Sequence, residues 1–139
     1  MQQQIADICL AYKVLDLYVF GSRSQEIASR VQSQPVSSSS SEADVDLGIL
    51  PADMSHWGPD MRVRFTMELE DLLEVRRVDL VLLPEAEPYL ALDVIRGELL
   101  YTQDQDRQAR YELYVLRRAG DLLPFKRERT RMILEEGMR

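Results

Sequence analysis

The sequence is poor in the residues that most often build metal and redox sites. It has one cysteine, one histidine and one tryptophan in 139 residues. Cys9 alone can form no intramolecular disulfide and no cysteine-based zinc site. The single histidine, His56, removes histidine dyads and most histidine-dependent metal sites. No apolar run approaches the ~18–20 residues that a bilayer-spanning helix needs. Met1-Gln-Gln-Gln carries neither a basic n-region nor an apolar h-region, so no signal peptide is expected. Basic side chains are outnumbered, 17 against 24 acidic, which leaves a formal charge of −7. That balance argues against broad electrostatic binding to duplex nucleic acid. The expectation is a soluble, reduced, cytoplasmic protein that binds no membrane.

What is present suits one globular domain over residues 1–139, with 45% hydrophobic and 29% charged residues. Helical and strand periodicities alternate along the chain. Ile5, Ile8, Cys9 and Tyr12 share one face of an opening helix, which makes Cys9 a small core filler. Leu15-Asp-Leu-Tyr-Val-Phe20 reads as a strand stopped by Gly21-Ser22. Residues 24–32 suit a short helix, and the five serines 37–41 suit a mobile surface loop. Asp44-Val-Asp-Leu-Gly-Ile-Leu50 reads as a second strand. His56 is expected in solvent on a loop, and Trp57 against the edge of the domain. Phe65, Leu69, Leu72 and Leu73 form the stripe of an amphipathic helix. Val78-Asp-Leu-Val-Leu-Leu83 predicts a third strand. A helix from Pro88 to Ile95 is expected to end on a left-handed Gly97, with a fourth strand over Glu98–Thr102. The remainder, about 104–137, reads as helix, kinked near Gly120–Pro124.

Three acids stand out by position. Asp44 and Asp46 are two apart on a predicted strand and so point to one face. Asp79 interrupts an apolar strand, where a carboxylate is costly to bury without a compensating charge. Carboxylates converging on one face repel one another unless a cation lies between them. Hard divalent cations favour oxygen ligands, and Mg²⁺ commonly adds substrate phosphate oxygens. One reading is therefore a metal site for phosphate chemistry. The other places Asp44 in solvent, pairs Asp46 with an arginine, and sets Asp79 against Arg76 or Arg77. Gly21-Ser22-Arg23, directly after an apolar strand, tips the balance to the first. Glycine allows a tight turn close to a ligand. Serine and the N–H groups of a following helix start suit phosphate oxygens, and Arg23 would add a charge-assisted contact.

Tyr18-Val-Phe-Gly-Ser-Arg23, Ala43-Asp-Val-Asp-Leu47 and Arg77-Val-Asp-Leu-Val81, in that order, resemble the DNA polymerase β-like nucleotidyltransferase superfamily. Within it the chain resembles the minimal nucleotidyltransferases that act as antitoxins to HEPN-domain toxins, to which Val94-Ile-Arg-Gly-Glu-Leu-Leu-Tyr101 is also similar. The resemblance runs from about Leu15 to Tyr114. It implies an α+β fold with a mixed sheet flanked by helices. It also implies that Asp44, Asp46 and Asp79 hold two Mg²⁺ and that Gly21 and Ser22 hold the triphosphate of ATP. The implied reaction moves AMP from ATP to a tyrosine hydroxyl of a HEPN ribonuclease partner. One departure concerns spacing. Family members usually keep about ten residues between Gly-Ser and the first aspartate, whereas residues 23–43 intervene here; an insertion of this kind costs little free energy when its ends are fixed.

Two other functions are compatible with these residues. One is a non-catalytic antitoxin that neutralises its toxin by occlusion alone. The other is nucleotidyl transfer to a small-molecule hydroxyl, for which the chain leaves little room for an acceptor domain. Tyr111, Tyr114, Leu122, Leu123 and Phe125 form a candidate docking surface, or else a helix face packed on the chain's own sheet. The cluster Lys126, Arg127, Arg129 and Arg131 is interrupted by Glu128 and followed by Glu135 and Glu136, and reads as a solvated face.

Overall fold

The computed structural model describes residues 1–32 and 43–120. The serine run, the kink near Gly120–Pro124, residues Leu122, Leu123 and Phe125, and the basic cluster fall outside, apart from Gly120 itself. Within the described residues the order is α1 (Gln2–Ala11), β1 (Val14–Phe20), α2 (Ser24–Val31), β2 (Val45–Pro51), α3 (Pro59–Leu73), β3 (Val78–Leu82), α4 (Pro88–Ile95) and β4 (Glu98–Thr102). A fifth helix, α5, covers 105–120 of the described residues. The strands form one sheet in the order β3-β2-β1-β4. β1 is antiparallel to both β2 and β4, and β2 is parallel to β3. The sheet is thus mixed, as expected, and the fold is α+β. Among the described residues no helix is long and apolar enough to cross a membrane.

Strand alternation sorts the chain into two layers. Leu17 and Val19 of β1, with Val45, Leu47 and Ile49 of β2, meet the apolar faces of α1, α2 and α3. The expected stripes supply that core: Ile5 and Cys9 from α1, and Phe65, Leu69 and Leu73 from α3, are all buried. Burial pushes the Cys9 thiol up to about 12, so it is an inert filler. Trp57 lies inside this core, edge-on to Phe65 with ring centroids 5.4 Å apart, rather than at the edge of the domain. His56 is exposed, 3.4 Å from Asp53.

The opposite face carries Tyr18 and Phe20 of β1, Leu50 of β2 and Val81 of β3, covered by α4 and α5. Two glycines allow this close cover. A Cβ at Gly48 would collide with Val94 of α4, and one at Gly97 would collide with the Val19 carbonyl and Phe20. Gly97 does not have the positive φ of a left-handed cap; it is required by close approach to β1, which corrects the expectation drawn from its position after a helix.

α5 is held by polar groups as well. Asp16, fully buried in β1, accepts from the Arg107 guanidinium at 2.6 and 3.0 Å and from the Thr102 hydroxyl at 2.7 Å. Tyr18 donates to Glu112 at 2.9 Å and accepts from Gln108 at 2.7 Å. A carboxylate this deep is tolerated because every charge-bearing oxygen is engaged by Arg107 or Thr102.

Candidate active site

Two of the three singled-out acids meet at one end of the α4/α5 face, and the third, Asp44, is joined to them through Arg77. Asp46 lies on β2 and Asp79 on β3, and the two are register partners across the parallel pair. Their parity with Gly48 and Val81 puts both side chains on the face that carries Phe20. Asp44 precedes β2, which begins at Val45 rather than at Asp44 as the alternation suggested. Its neighbour is fixed by a hydrogen bond from the Val45 N–H to the Arg77 carbonyl, 3.0 Å long.

Gly21 closes the site from the β1 side. Phe20 pairs with Asp46 in register, and the chain turns at Gly21 with φ of +80°. A Cβ on Gly21 would collide with the Asp46 carboxylate. Glycine is therefore needed twice, for its left-handed backbone and for the absence of a side chain next to the acid. Gly21 and Ser22 are exposed, and α2 begins two residues beyond Ser22. The Gly-Ser turn and the start of a helix thus stand beside Asp46, as the sequence led us to expect. An anion there would meet a hydroxyl, a turn backbone and the positive end of a helix.

The electrostatics report crowding of like charge. The Asp46 carboxyl is raised above the usual carboxylate range, first by burial and then by the charges of Asp79 and Asp44. Arg77 supplies countercharge: its Nε lies 3.3 Å from Asp79 and 3.8 Å from Asp44. Both of these carboxylates are half-exposed, 45% and 41%, so the pairs are solvent-screened. As they stand, no three acidic, histidine or cysteine side chains among the described residues are gathered tightly enough to enclose a metal ion. Asp44 and Asp79 share Arg77 instead. The donor set nevertheless fits a hard divalent cation, being all carboxylate oxygen, and such a cation would relieve the repulsion that adds to burial in raising Asp46.

Arg23 is the site residue whose surroundings differ most from expectation. Its guanidinium is buried, and it forks onto Glu26 at 2.6 and 3.3 Å while donating to the Ala43 carbonyl at 3.0 Å. These internal contacts occupy the group expected to face phosphate. Sequence reasoning weighed Arg77 only as a possible partner of Asp79 and gave no sign of its contact with Asp44. It also missed Asp16, whose partner Arg107 is 91 residues away.

Comparison with known proteins bears on this geometry. The family described as "Polymerase beta, Nucleotidyltransferase" matches residues 3–106. Among curated proteins, none is significantly similar in sequence. A mutant of the toxin–antitoxin MntA-HpeT superposes with a TM-score of 0.64 at 22% identity, over 100% of this chain and 99% of that one. A toxin–antitoxin with AMP-PNP gives 0.59 at 23% identity, over 99% and 98% of the two chains. The tri-AMPylated Shewanella oneidensis HEPN toxin in complex with MNT antitoxin gives 0.58 at 24%, over 100% of both. At these identities the likeness shows a shared fold.

Proposed function

The chain belongs to the polymerase beta nucleotidyltransferase family, and from that premise we propose that it transfers AMP from ATP to a tyrosine hydroxyl of a HEPN-domain toxin, acting as the antitoxin. One observation carries the reading: Asp46 and Asp79 are register partners on one sheet face, with Asp44 one position before β2 and the Gly21-Ser22 turn against Asp46. The acceptor is suggested by the fold neighbours, one with AMP-PNP and one with an AMPylated HEPN toxin.

Asp44, Asp46 and Asp79 are the residues that would hold two Mg²⁺, which when bound supply charge neutralisation at the triphosphate and acidify the acceptor hydroxyl. Gly21 lets the backbone approach the phosphates, and Ser22 donates its hydroxyl and N–H to a non-bridging oxygen. The acceptor oxygen attacks the α-phosphorus and its proton passes to Asp79. The bond from the α-phosphorus to the bridging oxygen breaks, and pyrophosphate leaves. The protein forms no covalent bond in this scheme; its work is positioning and electrostatics.

The test is to incubate the chain with ATP, Mg²⁺ and a HEPN-domain toxin protein, and to weigh the HEPN protein by intact mass spectrometry. A gain of one or more AMP units, lost in the Asp44→Asn/Asp46→Asn double variant, supports the reading. Inhibition of the HEPN ribonuclease with no mass change would replace it with neutralisation by binding alone.

A further inference from the structure

Asp44 is the one acid of the three that lies outside the strands, so strand pairing holds it from one side only. Its two chain neighbours are each held by a bond to another segment. On one side the Val45 N–H donates to the Arg77 carbonyl at 3.0 Å. On the other the Ala43 carbonyl accepts from Arg23 at 3.0 Å. Arg23 comes directly after the Gly21-Ser22 turn, so one side chain joins the phosphate-side turn to the residue before Asp44. Twenty positions of chain separate its two ends, and the bond closes that segment at its base.

The guanidinium is not free to do otherwise. Its side chain is 9% exposed, and Glu26, 12% exposed, takes both its Nε and a terminal nitrogen. Glu26 also accepts from Arg30 at 2.8 Å, and Arg30 donates to the Leu73 carbonyl at the end of α3 at 2.7 Å. The clamp is therefore anchored through α2 to the layer beneath the sheet. A planar fork suits this task, because it pairs with a carboxylate along one edge while reaching a carbonyl with another nitrogen.

We infer that Arg23 is a positioning residue, which holds Asp44 at the site through the Ala43 carbonyl and does not bind the nucleotide. This rests on Asp44 belonging to the divalent-ion site. Loosening the backbone before Asp44 would misplace one carboxylate, and small misplacements are costly to catalysis.

The test compares Arg23→Ala, Arg23→Lys and Asp44→Asn with the wild type, reading Mn²⁺ affinity of the free protein by electron paramagnetic resonance alongside AMP-transfer kinetics. Arg23→Lys keeps a charge against Glu26 but cannot also reach Ala43, so its Tm should stay near that of the wild type. Both Arg23 variants should bind Mn²⁺ about tenfold more weakly and lose about 10- to 100-fold in kcat, with the KM for ATP changed by less than about twofold. If Arg23→Ala unfolds, the lysine variant alone decides. Full kcat and Mn²⁺ affinity in Arg23→Lys would overturn the clamp. A raised KM for ATP with unchanged Mn²⁺ affinity would make Arg23 a phosphate ligand and likewise overturn it. Wild type and Asp44→Asn binding Mn²⁺ equally would instead overturn the metal site itself, and the clamp's purpose with it.

Discussion

Gly21 has no room for a side chain. Gly21→Ala would force a left-handed alanine, at a cost of about 1–2 kcal/mol, and would press a methyl group onto the Asp46 carboxylate. We expect a measurable fall in Tm and at least a ~100-fold loss of AMP transfer, the second far exceeding what the fall in stability explains. Asp46 behaves in the opposite way. Its carboxyl is raised in the folded chain, so the folded state holds that proton more readily than the unfolded one. Stability is therefore lost as pH rises from the ordinary carboxylate range through the raised value, and the cost persists at neutral pH. Asp46→Asn removes it. Calorimetry should show a higher Tm than the wild type at pH 7, a gain that vanishes as the pH falls below the ordinary carboxylate range. A lower Tm at pH 7 would mean that Asp46 is paired rather than crowded.

Among the elements, α3 is capped by Glu74, a residue with a β-carbon held in the left-handed region at φ of 55°. Glycine is the residue that such a cap favours. Glu74→Gly should raise the urea midpoint, by the equivalent of about 0.5–1 kcal/mol, with an unchanged m-value. α5 depends on a different device. Arg107→Ala would leave the Asp16 carboxylate buried without its main partner, a loss of about 3 kcal/mol or more. Hydrogen exchange should then quicken over 105–120 first, since Asp16–Arg107 joins that helix to β1. These two elements also mark how far local pattern reaches. The strands and most helices were legible because apolar spacing and turn residues act within a few positions: β1, β3, α4 and β4 fall where the pattern put them to within a residue. Gly97 was misread because a packing contact with β1 and a helix cap leave the same local sequence.

For the whole molecule, the placement of the candidate site residues was legible where chemistry and strand parity coincide. Asp-x-Asp and an acid inside an apolar run proclaim themselves, and Gly-Ser after a strand marks the turn that lies against Asp46. Pairings that span the fold were not legible. Arg23 with Ala43, Arg77 with two acids, and Asp16 with Arg107 depend on how distant segments dock, and no spacing rule encodes that. The long connection between Gly-Ser and Asp44 is tolerated for a reason of the same scale: its two ends are tied at Arg23 and Ala43. The account stands on Asp44, Asp46 and Asp79 acting as one centre that directs attack to the α-phosphorus. The most direct measurement supplies the chain and a HEPN-domain protein with ATP labelled in either the α or the γ phosphate. Label should reach the HEPN protein from the α position only, and not at all with Asp46→Asn or Asp79→Asn. Label arriving from the γ position, or α label still transferred by both variants, would contradict it.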